Sequence, residues 1–247
     1  MGGRGAMSST GKAAAKSLGT GRKLTDKEFD SLKQTASTFG ITLDDSLKQL
    51  PGISVLEAYE GVRDVKKEFS QAPDDLFVLK ASHRNDGALA VAHPFNGIAV
   101  NTKYFMDHKD LVSRTEASKK SGWSPSSGVR SVTAHEAGHI LEVALIKKEL
   151  GLGPGQWSRE ASKRWNKGTH SGEVMRKAVL QTNRASGTRR KKADIIRDLS
   201  RYAASSSSSA HQNAEGLAEA VSDFVTNQGT SKAVSAFVWD ILKDKLG

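Results

Sequence analysis

The chain has 247 residues, enough for one sizeable domain with a tail or for two small ones, and its 37% hydrophobic content allows a buried core. It contains no cysteine, which excludes disulfides, thiolate metal ligands and a cysteine nucleophile, so any metal ion must be held by His, Asp or Glu. The net charge of +10 is uneven, with +5 in residues 1–23 and +9 in residues 159–201, so the rest of the chain is net acidic. Basic blocks of this kind contact DNA or an acidic protein surface, or keep a solvated segment soluble. No apolar run approaches the length of a membrane span. The N-terminus lacks an apolar signal-peptide core, which points to a protein made and first residing in a cytoplasm.

Residues 1–23, rich in Gly, Ser, Ala and Lys, read as a flexible basic tail. Thr25-Asp26-Lys27-Glu28 is a capping box, and Phe29, Leu32 and Ala36 predict a helix that stops at Gly40. Leu43–Leu50 reads as a short second helix before Pro51-Gly52. Ser54-Val55-Leu56-Glu57 is a second capping box, opening a helix with Leu56, Tyr59, Val62, Val65 and Phe69 on its face. Residues 24–70 thus form an N-terminal helical segment. Residues 76–81 and 88–92, separated by Asn85-Asp86-Gly87, predict a hairpin. After the break at His93-Pro94-Phe95-Asn96, residues 97–101 form another short strand. Weak helicity follows over 107–120, and then a long helix from Val129 to Glu149 ending at Gly151.

The segment at about 152–195 reads as a basic insertion with short helical pieces near 159–165, 172–181 and 192–201. A serine-rich loop at 204–210 precedes two closing helices, over 212–227 and 232–246. Helices, a small mixed or antiparallel sheet and helices again make an α+β chain.

The long helix carries Thr133-Ala134-His135-Glu136-Ala137-Gly138-His139. Positions four apart share one helix face, so His135 and His139 can point at one ion. Glu136 can then reach a water held by that ion, which is the His-Glu-x-x-His arrangement of zinc hydrolases. A third ligand is needed. Glu215, Glu219 and Asp223 fall on one face of the 212–227 helix and offer carboxylates. Glu142 is expected to be a helix-surface acid. His93, His108, His170 and His211 are expected at the surface or in loops, and Trp123, Trp157, Trp165 and Trp239 as packing anchors.

The run Asn213-Ala214-Glu215-Gly216-Leu217-Ala218-Glu219-Ala220 resembles the glutamate helix of one branch of zinc metallopeptidases. That branch includes the catalytic domain of anthrax lethal factor and phage head-associated peptidase-like proteins. Gly97-Ile98-Ala99-Val100-Asn101 with Tyr104-Phe105, Gly122-Trp123-Ser124-Pro125, and Leu199-Ser200-Arg201-Tyr202-Ala203 are also similar to segments of that family. The likeness covers roughly residues 70–247 and implies a zincin-like metallopeptidase domain over 71–247. It implies Zn2+ held by His135, His139 and Glu215, with Glu136 as general base, Glu219 behind a ligand histidine, and Tyr202 stabilising the oxyanion.

Tyr202 lies thirteen positions before Glu215, farther than in the family pattern, and the serine run accounts for the excess. The choice between Glu215 and Glu219 as ligand stays open. The implied substrate is a protein or peptide, paired along residues 97–101, with phage head proteins as partners and DNA contacted by the basic tail and insertion. The alternative is a non-catalytic phage structural or interaction protein with a metal-stabilised fold.

Overall fold

The computed structural model describes residues 21–247, so all but the last three residues of the expected tail lie outside the described residues. Two of these, Arg22 and Lys23, are tied down. Lys23 bridges Pro51, Gly52 N donates to Arg22 O at 2.8 Å, and the Arg22 guanidinium pairs with Glu28. Glu28 also completes the expected capping box with Thr25, opening helix α1 (Asp26–Ser37). The expected second helix is a 3-10 turn, Asp45–Gln49, capped by Asp44.

Helix α2 (Gly52–Glu68) begins at Pro51, earlier than Ser54 implied. Pro pre-sets the backbone for a helix start. Ser54 is left inside the helix, fully buried and 3.3 Å from His108 Nδ1. Val55, Ala58, Tyr59, Val62 and Val65 face the core, while Leu56 is only half-buried.

Strands β1 (Thr42–Leu43), β2 (Val78–Ser82), β3 (Ala90–His93) and β4 (Gly97–Asn101) form one mixed sheet in the order β1-β2-β4-β3. Strand β4 pairs parallel with β2 and antiparallel with β3. The expected hairpin between β2 and β3 is therefore not formed, and residues 97–101 are central rather than an edge. The reason is composition: β4 is apolar at successive positions and buried at all five, as a strand covered on both faces must be. Gly97 is required there, because a Cβ would lie 2.3 Å from Val78 O in the neighbouring strand. The Asn101 side chain holds the loop that would have been the hairpin turn, donating to Arg84 O and Ala88 O and accepting from Arg84 N.

Helices α3 (Thr102–Phe105) and α4 (His108–Lys120) lead to α5 (Val129–Leu150), the long helix predicted from sequence. Both α2 and the sheet pack on α5, so residues on either side of position 70 share one core. Helices α6 (Arg159–Asn166), α7 (Thr169–Ser186) and α8 (Lys192–Leu199) fill the basic segment. That segment is not looped out: Val174, Met175, Ala178, Ile195 and Ile196 join the core. Its entry is clasped by Asp75, whose Oδ2 accepts from Lys147 Nζ at 2.9 Å and from Gly155 N at 2.8 Å.

The serine run is absorbed by the end of α9 (Arg201–Ser205), the Ser208 cap and the start of α10 (Ser209–Thr226), and α11 (Ala233–Leu246) closes the fold. The result is α+β, mainly helical, with a small mixed sheet.

Helix α10 packs tightly on α5 at Gly138, where an added Cβ would come within 2.7 Å of Ala218 Cα and 3.2 Å of Val221 Cβ. Backbone cannot give way as a side-chain tip can, so the helices would have to separate. Gly138→Ala should destabilise the protein by about 1–3 kcal/mol in urea unfolding. It should also weaken metal binding by pushing α10 outward; an unchanged midpoint would show that the contact is slack.

Candidate metal centre

Three side chains from α5 and α10 converge. Glu215 Oε2 lies 3.2 Å from His135 Nε2 and 3.6 Å from His139 Nε2. One ligand atom from each residue can be chosen so that all lie within 4.8 Å of one another, and this is the one such group among the described residues. Yet Glu215 Oε2 is buried and makes no hydrogen bond of proper geometry. Ligands set tetrahedrally about 2.1 Å from an ion lie roughly 3.4 Å apart. The spacing and the orphaned oxygen therefore fit a cation between the three groups. Two imidazoles and a carboxylate are also a zinc-type donor set.

The charges of the ion-free cluster are mutually held. Burial alone would push the His135 imidazole down, but the Glu215 and Glu219 carboxylates outweigh it and raise its pKa well above 6.5. Burial and Glu215 act in the same opposed way on His139, with a net rise. Glu215 is held below the usual carboxylate range because the two imidazoles overcome its burial.

Glu219, left open as a ligand by the sequence, sits on the other side of His135, with Oε2 3.8 Å from Nδ1. Its oxygens are engaged elsewhere: Ser124 Oγ lies 3.3 Å from Oε2 and Ser200 Oγ 3.2 Å from Oε1. Asp223, the third acid of the stripe, takes no part. It accepts from Lys232 N, Ser235 Oγ and Asn227 Nδ2, and so anchors the start of α11.

Glu136 is buried beside the cluster. Burial pushes its pKa up, and the two imidazoles pull it partly back. The Ala92 backbone amide also lies close enough to favour its ionised form. The Tyr202 ring centroid is 6.2 Å from that of His135, despite the long spacing to Glu215. The separation in sequence is taken up by α9 and the cap of α10, which fold the chain back. Burial and the nearby Glu215, Glu136 and Glu219 raise the Tyr202 phenol, so it stays protonated.

Several expectations change. Glu142 is not a surface acid: it is 1% exposed, Oε1 accepts from Ser171 N at 2.8 Å, and burial raises its pKa. His108 and His170 are buried, and burial lowers both pKa values. His93 and His211 are exposed as expected. Trp239 is a packing anchor between Phe69 and Phe224. Trp123 is not; it is 43% exposed and lies beside Tyr202. Trp165 stands edge-on to His139.

A cavity of about 290 Å³ opens at His135 and Glu136. Leu89, Ala90, Val132, Trp123 and Tyr202 line its apolar side, and Arg114 and Ser118 also reach it. Beside it runs β3, the sheet edge nearest α5. Leu89 O accepts from Asn101 N at 2.8 Å. Bonded positions alternate along an antiparallel pair. Val91 and His93 therefore bond to β4, while Ala90 and Ala92 turn their N–H and C=O groups to the free edge. Sequence reasoning missed Ser124, Ser200, Asn101 and Arg114, since an isolated Ser, Asn or Arg carries no spacing signal.

No protein-family model, curated protein or solved structure matches this chain.

Glu215→Gln should weaken zinc binding more than Glu219→Gln, the latter by about 10–100-fold as for groups that orient a ligand. Competition titration with a zinc chelator reads both, and the reverse order would make Glu219 the ligand. The pH dependence has a fixed sign. The raised imidazole pKa values keep protons on the ion-free cluster above pH 6.5, and a cation must displace them. Zinc affinity should keep climbing as the pH rises above 6.5, with protons released on binding; a flat profile would contradict the assigned ligands.

Proposed function

We propose that this chain is a zinc-dependent hydrolase of peptide bonds. The observation that carries the reading is the orphaned Glu215 oxygen between two imidazole nitrogens, with Glu136 and Tyr202 at the same cluster. His135, His139 and Glu215 would hold the ion. Bound zinc supplies a water of lowered pKa and a Lewis acid for the scissile carbonyl.

Glu136 takes the proton of the attacking water and later hands it to the leaving amine. Its burial suits this role, since a carboxylate with a raised pKa is a better base than an exposed one. Tyr202, kept protonated by its surroundings, donates its O–H to the oxyanion that forms on the substrate carbonyl. The outward N–H and C=O groups of Ala90 and the C=O of Ala92 pair with the main chain of an extended substrate, while the Ala92 N–H faces Glu136. The role assigned from sequence to residues 97–101 thus passes to β3. The side chain flanking the cleaved bond enters the cavity at Glu136, which Leu89, Val132 and Trp123 help to line.

A metal-stabilised structural or interaction protein would need the three ligands but neither Glu136 nor Tyr202. Their position at the cluster favours the hydrolase over that alternative. A phage head context and a DNA contact remain suggestions of the motif resemblance and of the basic charge.

Glu136→Gln should retain zinc and lose peptide cleavage by about 10²–10⁴-fold, measured on an unfolded protein substrate with metal content assayed in parallel. Equal turnover in variant and wild type, or wild-type protein that takes up no zinc, rejects the hydrolase.

A further inference from the structure

Resting on the metal centre proposed above, we infer that Ser200 is a positioning residue that holds Glu219 behind His135 and Tyr202 over the site through one side chain. Ser200 is fully buried and stands where α8 ends and α9 begins, in extended conformation. Its Oγ accepts from Ala203 N at 3.2 Å, capping α9, and lies 2.9 Å from Trp123 O and 3.2 Å from Glu219 Oε1. A hydroxyl has a single proton to give. Trp123 O already receives the Tyr202 N–H at 3.0 Å, whereas Glu219 Oε1 has no other donor. The Ser200 hydroxyl thus serves both acceptors, and Glu219 Oε1 is the one that depends on it.

The capped end carries Tyr202 two residues on. Tyr202 is fixed there by a strap from the loop between α4 and α5. Arg201 N donates to Gly122 O at 3.1 Å, Tyr202 N to Trp123 O, and Arg201 Nη1 to Ser121 O at 3.3 Å. The same loop supplies Ser124 to the second oxygen of Glu219. One serine and one strap thus join the carboxylate that faces His135 Nδ1 to the phenol on the substrate side. This explains why Tyr202 reaches the cluster at a spacing longer than the motif pattern: Ser200 and Trp123 set its place, not its distance from Glu215 along the chain.

The test compares Ser200→Ala with Ser158→Ala in the full chain. Ser158 caps α6 in the same way, accepting from Ala161 N, and has no contact with the centre. Both variants lose a helix cap, so general weakening appears in both. Only Ser200→Ala should lower zinc affinity, by about tenfold, the scale expected for a group that orients a ligand. The loss should not add to that of Glu219→Gln in the double variant, because both act through one carboxylate. Only Ser200→Ala should speed hydrogen exchange at the Tyr202 amide.

Equal zinc affinity in the two alanine variants, additive losses with Glu219→Gln, or an unchanged Tyr202 amide overturns the assignment. If Ser200→Ala fails to fold, Ser200→Thr keeps the hydroxyl and should hold zinc and protect the Tyr202 amide as wild type does; loss of either overturns it. Wild-type protein that binds no zinc defeats the metal reading alone, and the exchange comparison then decides the role of Ser200.

Discussion

The close approach of α5 and α10 at Gly138 is the contact on which the centre depends. With a Cβ there, Ala218 would be displaced, and Glu215, one turn earlier on α10, would withdraw from the imidazoles. A helix turn repeats every 3.6 residues, so Glu215 and Ala218 share a face. Placing Ala218 against Gly138 therefore also aims Glu215 at His135 and His139. Packing and chemistry are one constraint here. The apolar residues Leu217 and Val221 seat α10 in the core, while the acids of the same helix point at the cluster or, in the case of Asp223, brace the next helix.

The second layer of order is polar. Burying carboxylates is costly unless each oxygen has a donor. Glu219 meets this with two serine hydroxyls and Asp223 with three donors. Glu215 Oε2, Glu142 Oε2, Asp75 Oδ1 and Asp64 Oδ2 lack a hydrogen-bond donor, but Asp75 and Asp64 are each paired with a cation, Lys147 and Arg130. For Glu142, burial raises the pKa and so shifts the balance toward the neutral acid. Glu215 behaves in the opposite way: its neighbours favour the carboxylate. A buried, ionised and unsatisfied oxygen facing two imidazoles is the pattern of a ligand.

Much of this was legible in the sequence where periodicity is strong. The capping box at Thr25, the long helix with His135 and His139, and the closing helices follow from local rules. What stayed hidden depends on distant partners. Strand order was misread because Asn85-Asp86-Gly87 signals a turn locally, while the unbroken apolar run of β4 claims the centre of the sheet against it. Glu142 looked exposed because its cover is Ser171, far along the chain. The choice between Glu215 and Glu219 could not be made from one helix face, since it depends on which flank of His135 each acid meets. The basic segment looked like an excursion because charge dominates its composition, although its few apolar residues are enough to seat α7 and α8.

An open sheet edge is a hazard, because unpaired backbone groups recruit strands from other chains. Strand β3 is only four residues long, runs directly into Pro94, and offers just Ala90 and Ala92 outward. Helix α5 stands close beside it. A second sheet could not dock along so short and hemmed an edge. Such an edge leaves room for pairing with only a few residues of another chain.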